Sequence, residues 1–190
     1  MNEGKKKYIG GGEESFGFLQ FDKVRDKDSP ASICLICEIA SWARDNGMTL
    51  YDLLMNIYKE YGFSKEHTIN VVRPGKTGAD EIKQMMTNFR ENPPKTLGGS
   101  KVVLTKDYKS LEAKDAEGNV TKLDMPDTSN VLQWFCEDGT KCSVRPSGTE
   151  PKIKFYIEVK DASFSGAADY ERCSKAGEAK IELLKKDLKL

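Results

Sequence analysis

Two short stretches hold the residues whose types and spacing can do chemistry. The first is VRPSGTEPKIKFYIEV, residues 144–159, where small, hydroxylated and cationic residues stand between two prolines and run into an alternating pattern. Ser147, Gly148 and Thr149 can turn tightly and offer backbone N–H groups and two hydroxyls to one point. Arg145 adds a planar fork of donors matched to two oxygens of one phosphate, and Lys152 adds a second cation. The guest that suits this set is an anion with several oxygens, a phosphate. The competing reading is a β-turn whose Ser and Thr satisfy only local backbone groups, which leaves Arg145 and Lys152 beside it unexplained.

The second stretch is GGGEESFG, residues 10–17. Its glycines let the backbone approach a ligand closely, yet Glu13 and Glu14 would repel a phosphate. A carboxylate beside a hydroxyl suits a polyol instead. Glu13 can accept from neighbouring sugar hydroxyls and Ser15 can donate or accept. On spacing alone, a glycine-rich turn with exposed acids is the simpler reading.

Other candidates carry less. In VRDKD, residues 24–28, Arg25 and Lys27 neutralise Asp26 and Asp28, and no third carboxylate stands at ligating spacing. It reads as a solvated loop from which Lys27 can reach a ligand held by the glycine loop. Cys34 and Cys37 form CLIC inside the most apolar helical stretch, fail zinc spacing and read as core residues. His67 is the one histidine, too little for a Ser-His-Asp or Cys-His machine. GKTG, residues 75–78, lacks the spacing of a nucleotide loop. No residue reads as a catalytic group and none as a metal ligand.

Composition narrows the class. The 190 residues are 38% hydrophobic and 32% charged, and thirty basic and thirty acidic side chains cancel. Clustered excess Lys and Arg is what phosphate-backbone affinity needs, so no nucleic-acid partner is expected. The longest apolar run, residues 33–43, is broken by Glu38 and Ser41 and is too short to span a bilayer, so no membrane partner is expected. No secretory pattern opens the chain. Five cysteines, an odd count, suit a reducing compartment, which points to the cytoplasm.

The elements that must position these loops follow from periodicity. A helix is expected over 31–45, with Ser29 as cap and Pro30 in the first turn. It is apolar on nearly every side and needs covering. Thr49 and Asp52 form a capping-box variant before a helix carrying Leu50, Leu53, Leu54, Ile57, Tyr58 and Tyr61, which Gly62 ends. Then come a strand at 67–72, a turn at 73–78 and a helix with Ile82, Met85, Met86 and Phe89 on one face, stopped before Pro93-Pro94. A strand at 101–105 precedes a polar segment, 108–124, with a turn at Glu117-Gly118-Asn119. A hairpin forms about Asp138-Gly139. The last strand sets Ile153, Phe155, Ile157 and Val159 against Lys152, Lys154, Tyr156 and Glu158. A closing helix has Tyr170, Cys173, Ile181, Leu184 and Leu188 as its stripe.

The chain therefore divides near Lys65. Residues 66–190 read as an α+β domain, an antiparallel sheet backed by helices. Residues 1–65 read as the helical remnant of an α/β domain whose beginning is missing, because two helices and one strand cannot cover each other's apolar surface. Exposed apolar surface is expected over 33–42.

GGEESFG followed by RPSGTEPKIKFYIE, with VRDKD between, resembles the α-D-phosphohexomutases, the phosphoglucomutase and phosphomannomutase superfamily. The resemblance covers nearly the whole chain and only the end of the family's third, sugar-binding domain with its fourth, phosphate-binding domain. That fourth domain has a sheet like that of TATA-box-binding protein. By the resemblance, Glu13 and Ser15 grip sugar hydroxyls. Arg145, Ser147, Gly148 and Thr149 hold the phosphate that is not being transferred. Lys27 falls where the glucomutase branch places a ligand-contacting lysine, and Lys152 carries over on its charge. The implied activity is an intramolecular phosphotransfer of carbohydrate metabolism, interconverting hexose 1-phosphate and hexose 6-phosphate through a hexose 1,6-bisphosphate that also activates. The implied cofactor is Mg²⁺.

The family's nucleophile is a phosphoserine in a Thr-Ala-Ser-His-Asn-Pro type loop, and its Mg²⁺ sits in an Asp-x-Asp-x-Asp loop. Neither pattern occurs in this sequence, so the chain is expected to be a C-terminal fragment, inactive alone, whose partners are a hexose phosphate and the missing N-terminal domains. The family's fourth domain swings over substrate, which puts the hinge between Tyr61 and His67. The alternative is a stand-alone anion-binding module without catalysis, which has no use for a hydroxyl-gripping glutamate.

Overall fold

The computed structural model describes residues 8–13, 17–24, 26–75 and 77–190. The chain divides into two compact units, Met1–Ile57 and Tyr58–Leu190.

In the first unit two short strands flank the loop of the glycine stretch. β1 (Gly11–Gly12) pairs antiparallel with β2 (Phe18–Leu19), and Glu13 N donates to Gly17 O at 2.7 Å, closing the loop between them. Helix α1 (Ser29–Asp45) is capped by Asp28, not Ser29. Asp28 has extended backbone, and its side chain accepts from Ala31 N at 3.2 Å. A carboxylate gains both the hydrogen bond and the attraction of the helix's positive end, so it wins over the adjacent hydroxyl.

Ala43 is the one buried residue of α1, while Ile33 (64%), Ile36 (55%) and Trp42 (54%) are exposed. Cys34 and Cys37 are exposed too, which corrects their reading as core residues. The helix is as apolar as a core helix, but no layer of its unit covers that side. Helix α2 (Leu50–Tyr61) starts with the expected capping box: Thr49 N donates to Asp52 Oδ2 at 2.9 Å and Asp52 N donates to Thr49 Oγ1 at 3.1 Å. Gly62, at φ +95°, ends it.

The second unit opens with β3 (Phe63–Val72), four residues ahead of the strand expected from alternation. Pairing decides this: β3 matches the last strand along its whole length, from Phe63↔Asp161 to Val72↔Lys152. Phe63 also stacks on Phe164 at 5.6 Å. Next come α3 (Gly78–Glu91), β4 (Thr96–Leu97) and β5 (Ser100–Asp107). The polar segment forms a hairpin, β6 (Glu112–Asp115) and β7 (Val120–Lys122), where Asp115 Oδ1 accepts from the N–H groups of Glu117 and Asn119. β8 (Leu132–Cys136) and β9 (Lys141–Pro146) make the expected hairpin about Gly139. β10 (Lys152–Asp161) and α4 (Tyr170–Asp187) close the chain.

The eight strands form one antiparallel sheet in the order β3-β10-β9-β8-β5-β6-β7, with β4 paired to β5. Helices α3 and α4 back one face. There Ile82 and Met86 of α3 and Ile181 and Leu184 of α4 join Trp134 and Phe155 in the core. Burying each such side chain contributes about 1.5–3 kcal/mol. The unit is α+β. The alternation of β10 becomes two faces: Ile153, Phe155, Ile157 and Val159 are buried, and Lys152, Lys154, Tyr156 and Glu158 remain partly exposed. Cys136, Cys142 and Cys173 are buried and free. Among the described residues no helix is long and apolar enough to cross a membrane.

Candidate functional site

β9 and β10 deliver the RPSGTEP turn at one end of the sheet. Ser147 N donates to Lys152 O at 2.8 Å, Lys152 N to Glu150 O at 2.7 Å, and Arg73 N, just past β3, to Pro151 O at 2.9 Å. Ser147 Oγ accepts long bonds from Thr149 N (3.4 Å) and Glu150 N (3.3 Å). These are the local bonds of a hydroxyl-stabilised turn, and their length leaves both amides weakly held. A Cβ on Gly148 would meet nothing within 4 Å, and its backbone lies outside the left-handed region, so the fold itself does not demand glycine there.

Arg145, Ser147, Gly148, Thr149 and Lys152 all line one depression of about 440 Å³, with Pro146, Lys154 and Tyr156. Lys154 and Tyr156 were not among the sequence-derived site residues. The alternation that put them on the face of Lys152 was the signal that could have found them. Arg145 makes no ion pair among the described residues. Lys152 Nζ lies 2.5 Å from Glu150 Oε2, and this ammonium holds the Glu150 carboxyl below its usual range.

In the first unit Glu13 and Lys27 come together. Lys27 Nζ is 3.4 Å from Glu13 Oε1 and 3.0 Å from Asp26 Oδ1. Hydrogen bonds to Asp26, then to Glu13, hold the Lys27 ammonium above its usual value. Both residues line a depression of about 280 Å³ with Tyr8, Gly11, Gly12, Gly17, Leu19 and Asp26. Ser15 lies outside the described residues. The donors present do not fit Mg²⁺. Lys27 occupies Asp26, Asp28 caps α1, and no three His, Cys, Asp or Glu gather among the described residues.

A family model for the phosphoglucomutase/phosphomannomutase α/β/α domain III matches residues 1–61, and one for the C-terminal domain of the same family matches residues 69–164. A phosphoglucomutase of Staphylococcus aureus is 38% identical over 157 residues, covering 82% of this chain and 28% of that protein. One of Staphylococcus haemolyticus is 35% identical over 152 residues, again 28% of its length. The chain thus spans little more than a quarter of these relatives. Among solved structures, the open form of the exocytosis-sensitive phosphoprotein pp63/parafusin, a phosphoglucomutase from Paramecium, superposes with a TM-score of 0.50 at 17% identity. The match covers 94% of this chain and 31% of that one, a likeness of fold. With two domain models matched in sequence order and relatives more than a third identical, this chain belongs to the phosphoglucomutase/phosphomannomutase family.

Proposed function

We propose that this chain is the sugar- and phosphate-gripping portion of a phosphohexomutase that interconverts hexose 1-phosphate and hexose 6-phosphate through a bisphosphate. The observation that carries the reading is the single depression shared by Arg145, Ser147, Gly148, Thr149 and Lys152. Arg145 offers two parallel N–H donors, the turn amides and hydroxyls offer more, and all are set before a ligand arrives. Preorganised donors of this kind hold a phosphate without reorganisation at the moment of binding. A cradle built on charge accepts a phosphate from either end of a hexose, which a reaction that turns its intermediate around requires.

In the first unit, Glu13 accepts from sugar hydroxyls, with Ser15 two residues on in sequence and Lys27 brought to 3.4 Å from its carboxylate by the fold. Removing a loop that orients substrate loses the positioning that can supply several kcal/mol of barrier lowering, on the order of measured proximity effects. The proposed boundary between the sugar-binding and phosphate-binding parts lies at Gly62, ahead of β3, because the sequence-based division at residues 65 and 66 would cut a strand that pairs with β10 along its whole length. Because neither the phosphoserine nor the Asp-rich metal pattern occurs in the sequence, this chain by itself binds and does not turn over. The phosphoryl donor and the Mg²⁺ belong to the other domains of the parent enzyme, in the cytoplasm.

The test is calorimetric titration of glucose 1,6-bisphosphate into the chain and into Arg145→Ala at low salt. Loss of one charged contact costs about 1.5–3 kcal/mol. Equal affinity in both proteins would remove the phosphate site from RPSGTEP.

A further inference from the structure

The sheet of the second unit ends in two unlike edges. One is β7, three residues long. The other is β3, which runs ten residues from Phe63 to Val72 and pairs one-to-one with β10, without a bulge or a proline. Arg73 N, next in line, donates to Pro151 O at 2.9 Å, which fixes the phase of the ladder. Pairs of an antiparallel ladder alternate between bonded and non-bonded, so Phe63, Lys65, His67, Ile69 and Val71 turn their backbone groups to β10. Ser64, Glu66, Thr68, Asn70 and Val72 turn theirs outward, and among the described residues no other strand or backbone group meets them. A long regular edge of this kind is a template for another strand. Proteins normally blunt it with a short strand, a proline, a bulge or an inward-pointing charge. The β7 edge is short. On β3 the charge on the helix side is cancelled, because Lys65 packs against Gly177 of α4 and its Nζ lies 2.9 Å from Glu178 Oε1.

From this edge we infer that β3 is a self-association surface, taken by β3 of a second copy of this chain in antiparallel pairing about a two-fold axis at Thr68. The strand is complementary to itself in that register. Thr68 faces Thr68 of the copy, a pair that can share a hydroxyl hydrogen bond. Two steps out on either side Glu66 faces Asn70, so a carboxylate without an ion pair among the described residues meets an amide donor. On the helix side His67 faces Ile69 and Lys65 faces Val71, so the partly buried Ile69 and Val71 gain cover. No like charges stand opposite. Every neighbouring register is worse. An axis at Glu66 sets two carboxylates face to face, and one at His67 does the same with two imidazoles. An axis at Ile69 sets Lys65 against Arg73, and one at Asn70 brings Pro74 into the ladder opposite Glu66. Pairing β3 with β7 of a copy would bond three residues only. The isologous contact fills the whole edge and closes on itself as a dimer, with the sheet continued across the axis. It stands independently of the phosphate reading of the RPSGTEP loop.

The experiment is sedimentation equilibrium of the full 190-residue chain over a range of concentrations, with two-dimensional NMR reporting the fold and the amide exchange of each variant. The expected result is a mass of two chains that falls to one on dilution. In the dimer the amides of Ser64, Glu66, Thr68, Asn70 and Val72 should exchange slowly. Thr68→Lys and Thr68→Glu each place like charges across the axis. Each alone is expected to be monomeric, with those amides fast and the amides of Lys65, His67, Ile69 and Val71 still protected by β10. An equimolar mixture of the two variants sets opposite charges across the axis and is expected to recover the dimer, which a misfolded variant could not do. A chain that stays single at every concentration overturns the inference, as does a mixture that stays monomeric. A dimer that survives both substitutions overturns it as well, and its loss on Ile33→Gln with Ile36→Gln would put the contact on α1.

Discussion

Lys27 lies across Gly17 so closely that a Cβ on the glycine would meet Lys27 Cδ at 2.2 Å and Cγ at 2.7 Å. The same lysine ends 3.4 Å from Glu13 Oε1. The absent side chain at position 17 is what lets the cation cross the turn and arrive beside the carboxylate. Gly17→Ala should therefore push Lys27 off Glu13. Both partners are about half exposed, and such pairs are worth only about 0–1 kcal/mol, so the midpoint of urea unfolding should barely move. The measurement is the Lys27 side-chain NMR shift beside the affinity for glucose 1,6-bisphosphate. A variant that keeps both unchanged would show that the contact has no part in gripping sugar.

Gly78 opens α3 with its Cα facing the Arg73 carbonyl, where a Cβ would lie 1.7 Å from the oxygen. That contact is with backbone, which cannot swing aside as the lysine tail can. Gly78→Ala should cost about 1–3 kcal/mol in urea unfolding, the usual range for overpacking. Arg73 N also holds Pro151 O at 2.9 Å, so the shift should reach the RPSGTEP turn and move the amide resonances of residues 147–151. Unfolding at the unaltered midpoint would contradict the packing argument.

Acid should expose the start of α4. The Ser165 hydroxyl and its backbone N–H, with Arg172, pull the Asp169 carboxyl from its usual 3.8 down to about 2. A folded pKa below the unfolded one gives stability that is present above about pH 4 and lost as pH falls through about 2. The difference in stability between the native chain and Asp169→Asn should shrink across that window and be constant above it. A difference that instead grew on acidification would reverse the sign of the linkage.

The thiols should fall into two classes. Cys34 and Cys37 are exposed on α1, whereas Cys136, Cys142 and Cys173 are buried, and burial pushes the Cys142 thiol up to about 12. Since the thiolate is the reactive form, two of the five thiols should react quickly with a chromogenic disulfide at pH 8 and three only on unfolding. The same side of α1 should bind an apolar dye, and Ile33→Gln with Ile36→Gln should reduce that signal. Five slow thiols and no dye binding would mean that the apolar side of α1 is covered in solution.

Local chemistry was legible in the sequence by itself. Thr49 and Asp52 cap α2 because their reciprocal bonds span three residues, and Ile153 to Val159 alternate because a strand has period two. Arg145, Ser147, Gly148 and Thr149 could be read as one group because one tight turn carries them. Everything that depends on which distant segments meet was decided by tertiary structure. β3 gains Phe63 to Glu66 from its pairing with β10, and an apolar helix leaves Cys34 and Cys37 exposed because its unit has no layer over them. Lys152 and Lys154 are equal in pattern. Register sets one across from Arg145, and the fold of the turn sets the other against Glu150. Periodicity assigns a side chain to a face, but the charges it meets there come from strands and turns elsewhere in the chain.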